Sequence, residues 1–191
     1  MIRRAVEQVV DPGAIFAGWV GLGMALVLAI AFELIIPVQT LVFLLAPLLG
    51  LAIGVYANVR SERWRPVGRL VANAIWAGLV TGVGLALLYV AIRLVFVYGD
   101  TGALPDGTRL NCSTGPDCLY QRYVASGLAG ELAALGITDA ASLEAATWRE
   151  LVVTGTGLVL LTVVGSVVGG IARGFAPLPR SAPLPLNRGS G

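Results

Sequence analysis

One carboxylate lies inside an otherwise apolar stretch of the sequence. Glu33 belongs to AIAFELIIPVQTL, residues 29–41, and Arg93 lies in a second apolar stretch, YVAIRLVFVYGD. A charged side chain in hydrocarbon is costly, so such residues pair with an opposite charge, extend to the headgroups, or serve an ion or proton pathway. The first chemical question is therefore whether Glu33 is a structural partner of Arg93 or a carrier.

Most catalytic chemistry is excluded by composition. The chain of 191 residues contains no His. Haem or chlorophyll ligation by His, most zinc sites and every Ser-His or Cys-His nucleophile pair require an imidazole. There is also no phosphate-binding Gly loop outside the apolar stretches. The sequence therefore predicts no catalytic, cofactor-binding or metal-binding residues, no nucleic-acid partner, and no enzymatic activity.

The two cysteines form the remaining reactive pair. Cys112 and Cys118 flank a turn-forming segment in LNCSTGPDCLY. A redox pair that passes electrons to quinone, as in four-helix thiol-oxidising membrane enzymes, has a CxxC motif and a second cysteine pair, and this sequence has neither. We therefore predict a structural disulfide, which requires an oxidising compartment.

The elements that position these residues are apolar helices. Hydrophobic residues make up 57% of the chain and charged residues only 13%, about half the share usual in soluble domains. A membrane-spanning helix needs about 20 mostly apolar residues. Four stretches qualify: Ala14–Pro37, Thr40–Tyr56, Leu70–Tyr98 and Leu151–Ala172. The predicted fold is an all-α integral membrane protein, a four-transmembrane-helix bundle with a partly helical extracytoplasmic domain between helices 3 and 4.

Arginine placement predicts the orientation. Nine of the 13 arginines lie in three segments that four spans place on one side: Arg3, Arg4, Arg60, Arg63, Arg65, Arg69, Arg173, Arg180 and Arg188. Cytoplasmic loops carry such an excess. The predicted organisation is a cytoplasmic segment 1–13, helices 1–3 in 14–98 with an Arg-rich cytoplasmic loop 57–69, an extracytoplasmic loop domain 99–150, helix 4 in 151–172, and a disordered Pro-rich cytoplasmic tail 173–191. The expected location is a bacterial-type plasma (inner) membrane.

The loop domain has its own helical pattern. Apolar residues recur at helical spacing from Tyr120 to Leu135, and Gly136 provides a helix stop. A second helix is predicted to start near Thr138 and to continue into the last span. The first of these helices either lies on the bilayer or on the outer face of the bundle, or serves as a docking surface for a partner.

Small residues spaced four apart occur in all four spans. In lipid there is no hydrophobic drive between helices, so close backbone approach at such residues favours their association. The predicted packing glycines are Gly21, Gly50, Gly54, Gly78, Gly82, Gly165 and Gly169. Because four tilted helices have few inward faces, a leftover ridge would need an external partner. We therefore expect contacts with lipid and with other membrane subunits, and a homo-oligomer is compatible with the pattern.

These observations leave two functional hypotheses. Glu33 and Arg93 are predicted at similar depth, which favours an intramembrane ion pair and a non-catalytic accessory or structural subunit of a larger membrane complex. The alternative is a small homo-oligomeric proton-coupled transporter that uses Glu33. Its layout is similar to that of small multidrug exporters, which have four helices and an essential Glu in the first. Those chains are much shorter, and Phe32 and Leu34 flank Glu33 here rather than an aromatic chamber.

Overall fold

The computed structural model describes residues 9–35, 39–61, 66–104 and 106–174, without the side chains of 33–35, 39 and 174. The elements are α1 (Pro12–Ala29), a π-helix (Ile30–Ile35), α2 (Gln39–Arg60), α3 (Val67–Tyr98), α4 (Pro116–Ala125), α5 (Ala129–Ala134) and α6 (Ala140–Gly174). Four helices are long and apolar enough to cross a membrane. They are α1 together with the first residues of the π-helix, α2, α3 and α6. The all-helical class and the four candidate spans are thus confirmed.

The four long helices alternate in direction. Gly13 at the start of α1 faces the end of α2, because a Cβ there would lie 2.5 Å from the Arg60 carbonyl oxygen. α1 and α3 run parallel. Gly18 of α1 faces Val80 of α3, because a Cβ added at Gly18 would lie 3.3 Å from the Val80 Cβ. We call the end where α1 and α3 begin the amino-terminal end. The opposite end, where α6 begins and the two cysteines lie, is called the cystine end.

The seven predicted packing glycines all lie at contacts between helices of this chain. Gly50 and Gly54 face the backbone of α6, Gly165 and Gly169 face the backbone of α2, Gly78 and Gly82 face α6 from α3, and Gly21 faces Thr81. The α2–α6 contact is therefore backbone against backbone. Each of these seven glycines therefore packs against another helix of this chain. Gly23 of α1, by contrast, has no atom within 4 Å of an added Cβ.

Hydroxyl groups occupy the polar positions inside the helix contacts. Thr81 and Thr162 are fully buried and donate to carbonyl oxygens one turn back in their own helices, at 2.8 and 2.7 Å. The buried Ser166 Oγ of α6 instead donates to the Ala74 carbonyl of α3 at 2.7 Å. Each of the three buried hydroxyls therefore has a carbonyl acceptor, as burial in an apolar environment requires.

The segment between α3 and α4 is held by the cysteines and by Asp100. Cys112 and Cys118 lie at disulfide-bond distance, with Cα atoms 5.1 Å apart, and pack against Gly102. Gly102 has a φ of +68°, a conformation that favours glycine. The buried Asp100 carboxylate accepts from the Gly102 N–H at 2.8 Å and lies 2.5 Å from the Arg122 guanidinium. The predicted cysteine pair is therefore present, next to a carboxylate that organises the same turn.

The short helix α4 attaches this segment to the long helices. Leu119 of α4 packs with Val97 of α3 and Leu143 of α6 in a small second core. α6 then runs without interruption from Ala140 to Gly174. One continuous helix therefore joins the segment at the cystine end to the four packed spans.

Replacing Gly54 by Ala should destabilise the protein, because its Cβ would overlap the Ser166 carbonyl oxygen. Overpacking of this kind costs about 1–3 kcal/mol. Gly23→Ala is the matched control. It meets no neighbour, and the better helix propensity of Ala should leave stability unchanged or raise it by up to about 1 kcal/mol. Unfolding in mixed micelles measures both variants, and equal stability of the two would contradict this packing.

Candidate functional site

A buried carboxylate and a buried amide meet at the amino-terminal end. Asp11 is 3% exposed and Asn73 is fully buried. The Asp11 N–H donates to Asn73 Oδ1 at 2.9 Å, and Asn73 Nδ2 donates to Asp11 Oδ2 at 3.0 Å. Asp11 directly precedes Pro12, the first residue of α1, where a helix N-terminus favours negative charge. The pair therefore fixes the start of α1 to α3 by two reciprocal hydrogen bonds.

Neighbouring polar groups extend this pair to the other helices. Arg69 Nη1 lies 3.5 Å from Asp11 Oδ1, and Asn73 Nδ2 also donates to Ser61 Oγ at 3.0 Å. Asn58 of α2 donates to the Leu70 carbonyl and to the Gly170 carbonyl of α6, each at 3.2 Å. All four spans are thus joined by side-chain hydrogen bonds at this end.

Sequence reasoning missed this cluster. Glu33 drew attention because its neighbours are apolar, whereas Asp11 precedes the predicted first span and Asn73 is uncharged. The available signal was the amide inside the apolar stretch LVANAIWAG, together with Asp-Pro at the start of the first span. A buried Asn needs hydrogen-bond partners, and the nearest carboxylate outside the spans is the natural one.

At the cystine end, Arg93 pairs with a carboxylate of α6. Arg93 Nη2 donates to Glu150 Oε1 at 3.2 Å, and the hydroxyl of Tyr89 lies 3.5 Å from the same oxygen. The Arg93 and Glu150 side chains are 28% and 48% exposed. This pair was not predicted, because the helix predicted to continue into the last span does not by itself show which residue of α3 lies beside Glu150.

Glu33 lies in the π-helix at the end of α1, and its side chain is outside the described residues. The contact of Gly18 with Val80 sets an offset of 62 residues between the parallel helices α1 and α3. Applied to Glu33, this offset places it level with Val95 of α3, which is about half a helical turn from Arg93. The pairing of Glu33 with Arg93 therefore stays a prediction, now with Glu150 as a second carboxylate for the same guanidinium.

Beyond the Arg93–Glu150 pair, toward the cystine end, aromatic and acidic groups join α3 to α6. Tyr98 donates to Glu144, and the indole N–H of Trp148 donates to the Tyr98 hydroxyl at 3.3 Å. Just before α6, hydrogen bonds from the Ser142 backbone and hydroxyl lower the pKa of Asp139 below its usual value. Asp139 thus stays ionised where the α6 N-terminus favours negative charge.

Two apolar grooves lie along the described helices. The larger, about 480 Å³, lies beside α1 and is lined by Val20, Gly23, Met24, Val27, Phe32 and Leu49. The second, about 330 Å³, lies between α3 and α6. Within residues 9–35, 39–61, 66–104 and 106–174, no three His, Cys, Asp or Glu side chains are grouped so as to hold a metal ion.

Comparison with known proteins gives no relative. No protein-family model matches the chain, and no curated protein and no solved structure is similar to it.

Asn73→Ala should destabilise the protein by about 3 kcal/mol, because it removes both bonds to the buried Asp11 and leaves a carboxylate without its amide partner. The exposed Asn111→Ala is the matched control and should be neutral. In a double-mutant cycle, Asn73→Ala with Asp11→Ala should lose less than the sum by about 1–3 kcal/mol. Strictly additive losses in mixed-micelle unfolding would argue against the pair.

Two further cycles identify the partner of Arg93. Because the pair is half exposed, Arg93→Gln with Glu150→Gln should show a coupling of about 0.5 kcal/mol. The predicted Glu33 pair gives its own coupling in a cycle of Arg93→Gln with Glu33→Gln. Glu131→Gln, on exposed α5, is the control and should show none. A coupling for Glu33 alone would make Glu33 the partner, and no coupling in either cycle would rule out both pairs.

Proposed function

We propose that this chain is a non-catalytic multi-pass membrane protein that acts as an accessory or structural subunit within a larger membrane protein complex. It spans a bacterial-type plasma (inner) membrane with both termini cytoplasmic, so that the cystine end is extracytoplasmic. The arginine distribution supports this orientation. A disulfide at Cys112 and Cys118 also fits an oxidising compartment.

The observation that carries the proposal is an exposed apolar arm at the cystine end, residues 126–138. Its helix α5 has no buried residue, and Leu135 at its end is 73% exposed. Glu131 is the only charged residue in the arm. The end of the arm is bound to α4, because the Tyr120 hydroxyl donates to the Thr138 carbonyl at 2.6 Å. Within the arm, Leu135 is the large apolar side chain that is exposed, and exposed apolar surface on such a segment is a candidate contact with another protein.

Distance along α6 favours a protein rather than the bilayer as the partner of this arm. Glu150 pairs with Arg93 where the apolar part of α6 ends, which is where a charged pair meets the headgroups. The helix continues from there for ten residues to Ala140, a rise of about 15 Å. The headgroup layer is only about 6 Å deep on each side. The start of α6 is therefore placed beyond the headgroups, and an arm that joins the chain there is better placed to contact a protein than lipid.

Affinity purification of the full chain in mild detergent, followed by mass spectrometry, tests the proposal. A heterologous membrane subunit should co-purify in fixed ratio. Leu135→Arg should abolish this recovery by placing a charge in the contact. Asn111→Arg, which adds the same charge at another exposed position of the cystine end, should leave the recovery unchanged. Equal recovery with both variants would contradict a docking role for the arm.

One observation supports the second candidate, a homo-oligomeric proton-coupled transporter that uses Glu33. The π-helix Ile30–Ile35 contains Glu33, and π-helical turns often occur at functional sites. Proteoliposomes loaded with a pH-sensitive dye decide between the candidates. A proton flux that is lost in Glu33→Gln would favour transport, and its absence in an oligomer that retains a heterologous subunit would favour the structural role.

A further inference from the structure

A preoriented arginine, Arg60, is the last residue of α2 and lies at the amino-terminal end of the helix bundle. The Arg60 guanidinium carbon is 5.3 Å from the centroid of the Phe16 ring and 5.6 Å from that of Tyr56. Its Nε donates to the Tyr56 hydroxyl at 3.1 Å. Both rings lie within the distance at which cation–π attraction operates. The two rings and one hydrogen bond therefore fix the guanidinium plane against α1 and α2.

The charge of Arg60 is not neutralised by the described part of the chain. No carboxylate there lies within ion-pair distance of it, whereas Arg69, Arg93 and Arg122 each have one. Arg60 is exposed. Nε is used by Tyr56, and no hydrogen bond within the described residues occupies the two terminal nitrogens. A planar guanidinium with such a free fork matches the oxygens of a phosphate.

The ring of Phe16 that contacts this cation lies one helical turn from the larger apolar groove. Phe16 is one turn before Val20, and the groove continues along the same side of α1 to Met24 and Val27. Its far wall includes Leu49 of α2. Phe16 is 50% exposed and Val27 is 68% exposed, so this face of α1 is open along its length. A positive site and an apolar channel are therefore continuous on one surface.

We infer that this surface binds one anionic phospholipid of the leaflet at the amino-terminal end. The phosphate accepts hydrogen bonds from Arg60, and an acyl chain lies in the groove against Gly23 and Met24. The depths agree: half of a hydrocarbon core of about 30 Å is about 15 Å, which corresponds to about ten residues of helix. Counted from Phe16, that reaches the level of Leu26, next to the lining residue Val27. Charge complementarity at one end and apolar lining along the rest select a lipid over a polar ligand.

Native mass spectrometry of the full chain in detergent, titrated with phosphatidylglycerol or with phosphatidylcholine of the same chain length, tests this inference. The protein should retain one phosphatidylglycerol more tightly than phosphatidylcholine. Arg60→Gln should bind phosphatidylglycerol about fivefold more weakly, the effect of one interfacial arginine. Arg109→Gln removes an exposed arginine of the cystine end, so it is the matched control and should retain wild-type affinity.

Two further variants keep the test decisive if Arg60→Gln does not fold. Phe16→Leu keeps apolar volume but removes one ring that orients the guanidinium, and it should also weaken phosphatidylglycerol binding. Gly23→Leu fills the groove, so it should weaken binding of long-chain phosphatidylglycerol and leave binding of a short-chain form unchanged. Wild-type affinity in both variants would overturn the inference. A dimer that retains no phosphatidylglycerol would assign the groove to a second copy of the chain and would also overturn it.

Discussion

The structure depends on the direct backbone contact between α2 and α6. In lipid, helices gain nothing from hiding apolar side chains, so their association relies on close packing and on hydrogen bonds. Gly50 and Gly54 on one helix and Gly165 and Gly169 on the other remove the side chains that would separate them. α3 packs on the resulting pair through Gly78 and Gly82, and α1 packs on α3. A larger side chain at the α2–α6 contact would therefore also disturb the packing of α3 and, through it, of α1.

Side-chain hydrogen bonds also hold the helices together, and those of charged and amide groups are concentrated at the two ends of the bundle. The middle of the helices holds hydroxyls satisfied by nearby carbonyls, and Ser166 adds a bond between α6 and α3. Charged and amide groups lie at the two ends, as the Asp11–Asn73 pair and the Arg93–Glu150 pair show. An unsatisfied polar group within hydrocarbon costs several kcal/mol. This distribution therefore favours a packed structural body over a polar pathway between the helices.

The sequence predicted those features that depend on local composition. Span number, the pairing of Cys112 with Cys118 and the positions of the glycines follow from hydropathy, turn chemistry and spacing. Glu150 and Asn73 were missed because their roles depend on which helix lies beside them. The glycine pattern identified contact surfaces but not which helices meet there. The expected contact with other subunits stays a prediction. Which faces meet is decided by the arrangement of all four helices, and residue spacing along one helix does not contain that information.

α6 connects the two surfaces to which partners are assigned. It begins beside the exposed arm at the cystine end and passes Glu150. Near its last residue, Gly174, the carbonyl of Gly170 accepts a hydrogen bond from Asn58 of α2. Asn58 lies two residues from Arg60, so the proposed lipid site and the proposed docking arm are fixed to opposite ends of one uninterrupted helix. A helix of 35 residues is about 50 Å long and resists bending. A lipid bound at the proposed site would therefore be held at a fixed distance, along α6, from the proposed docking arm.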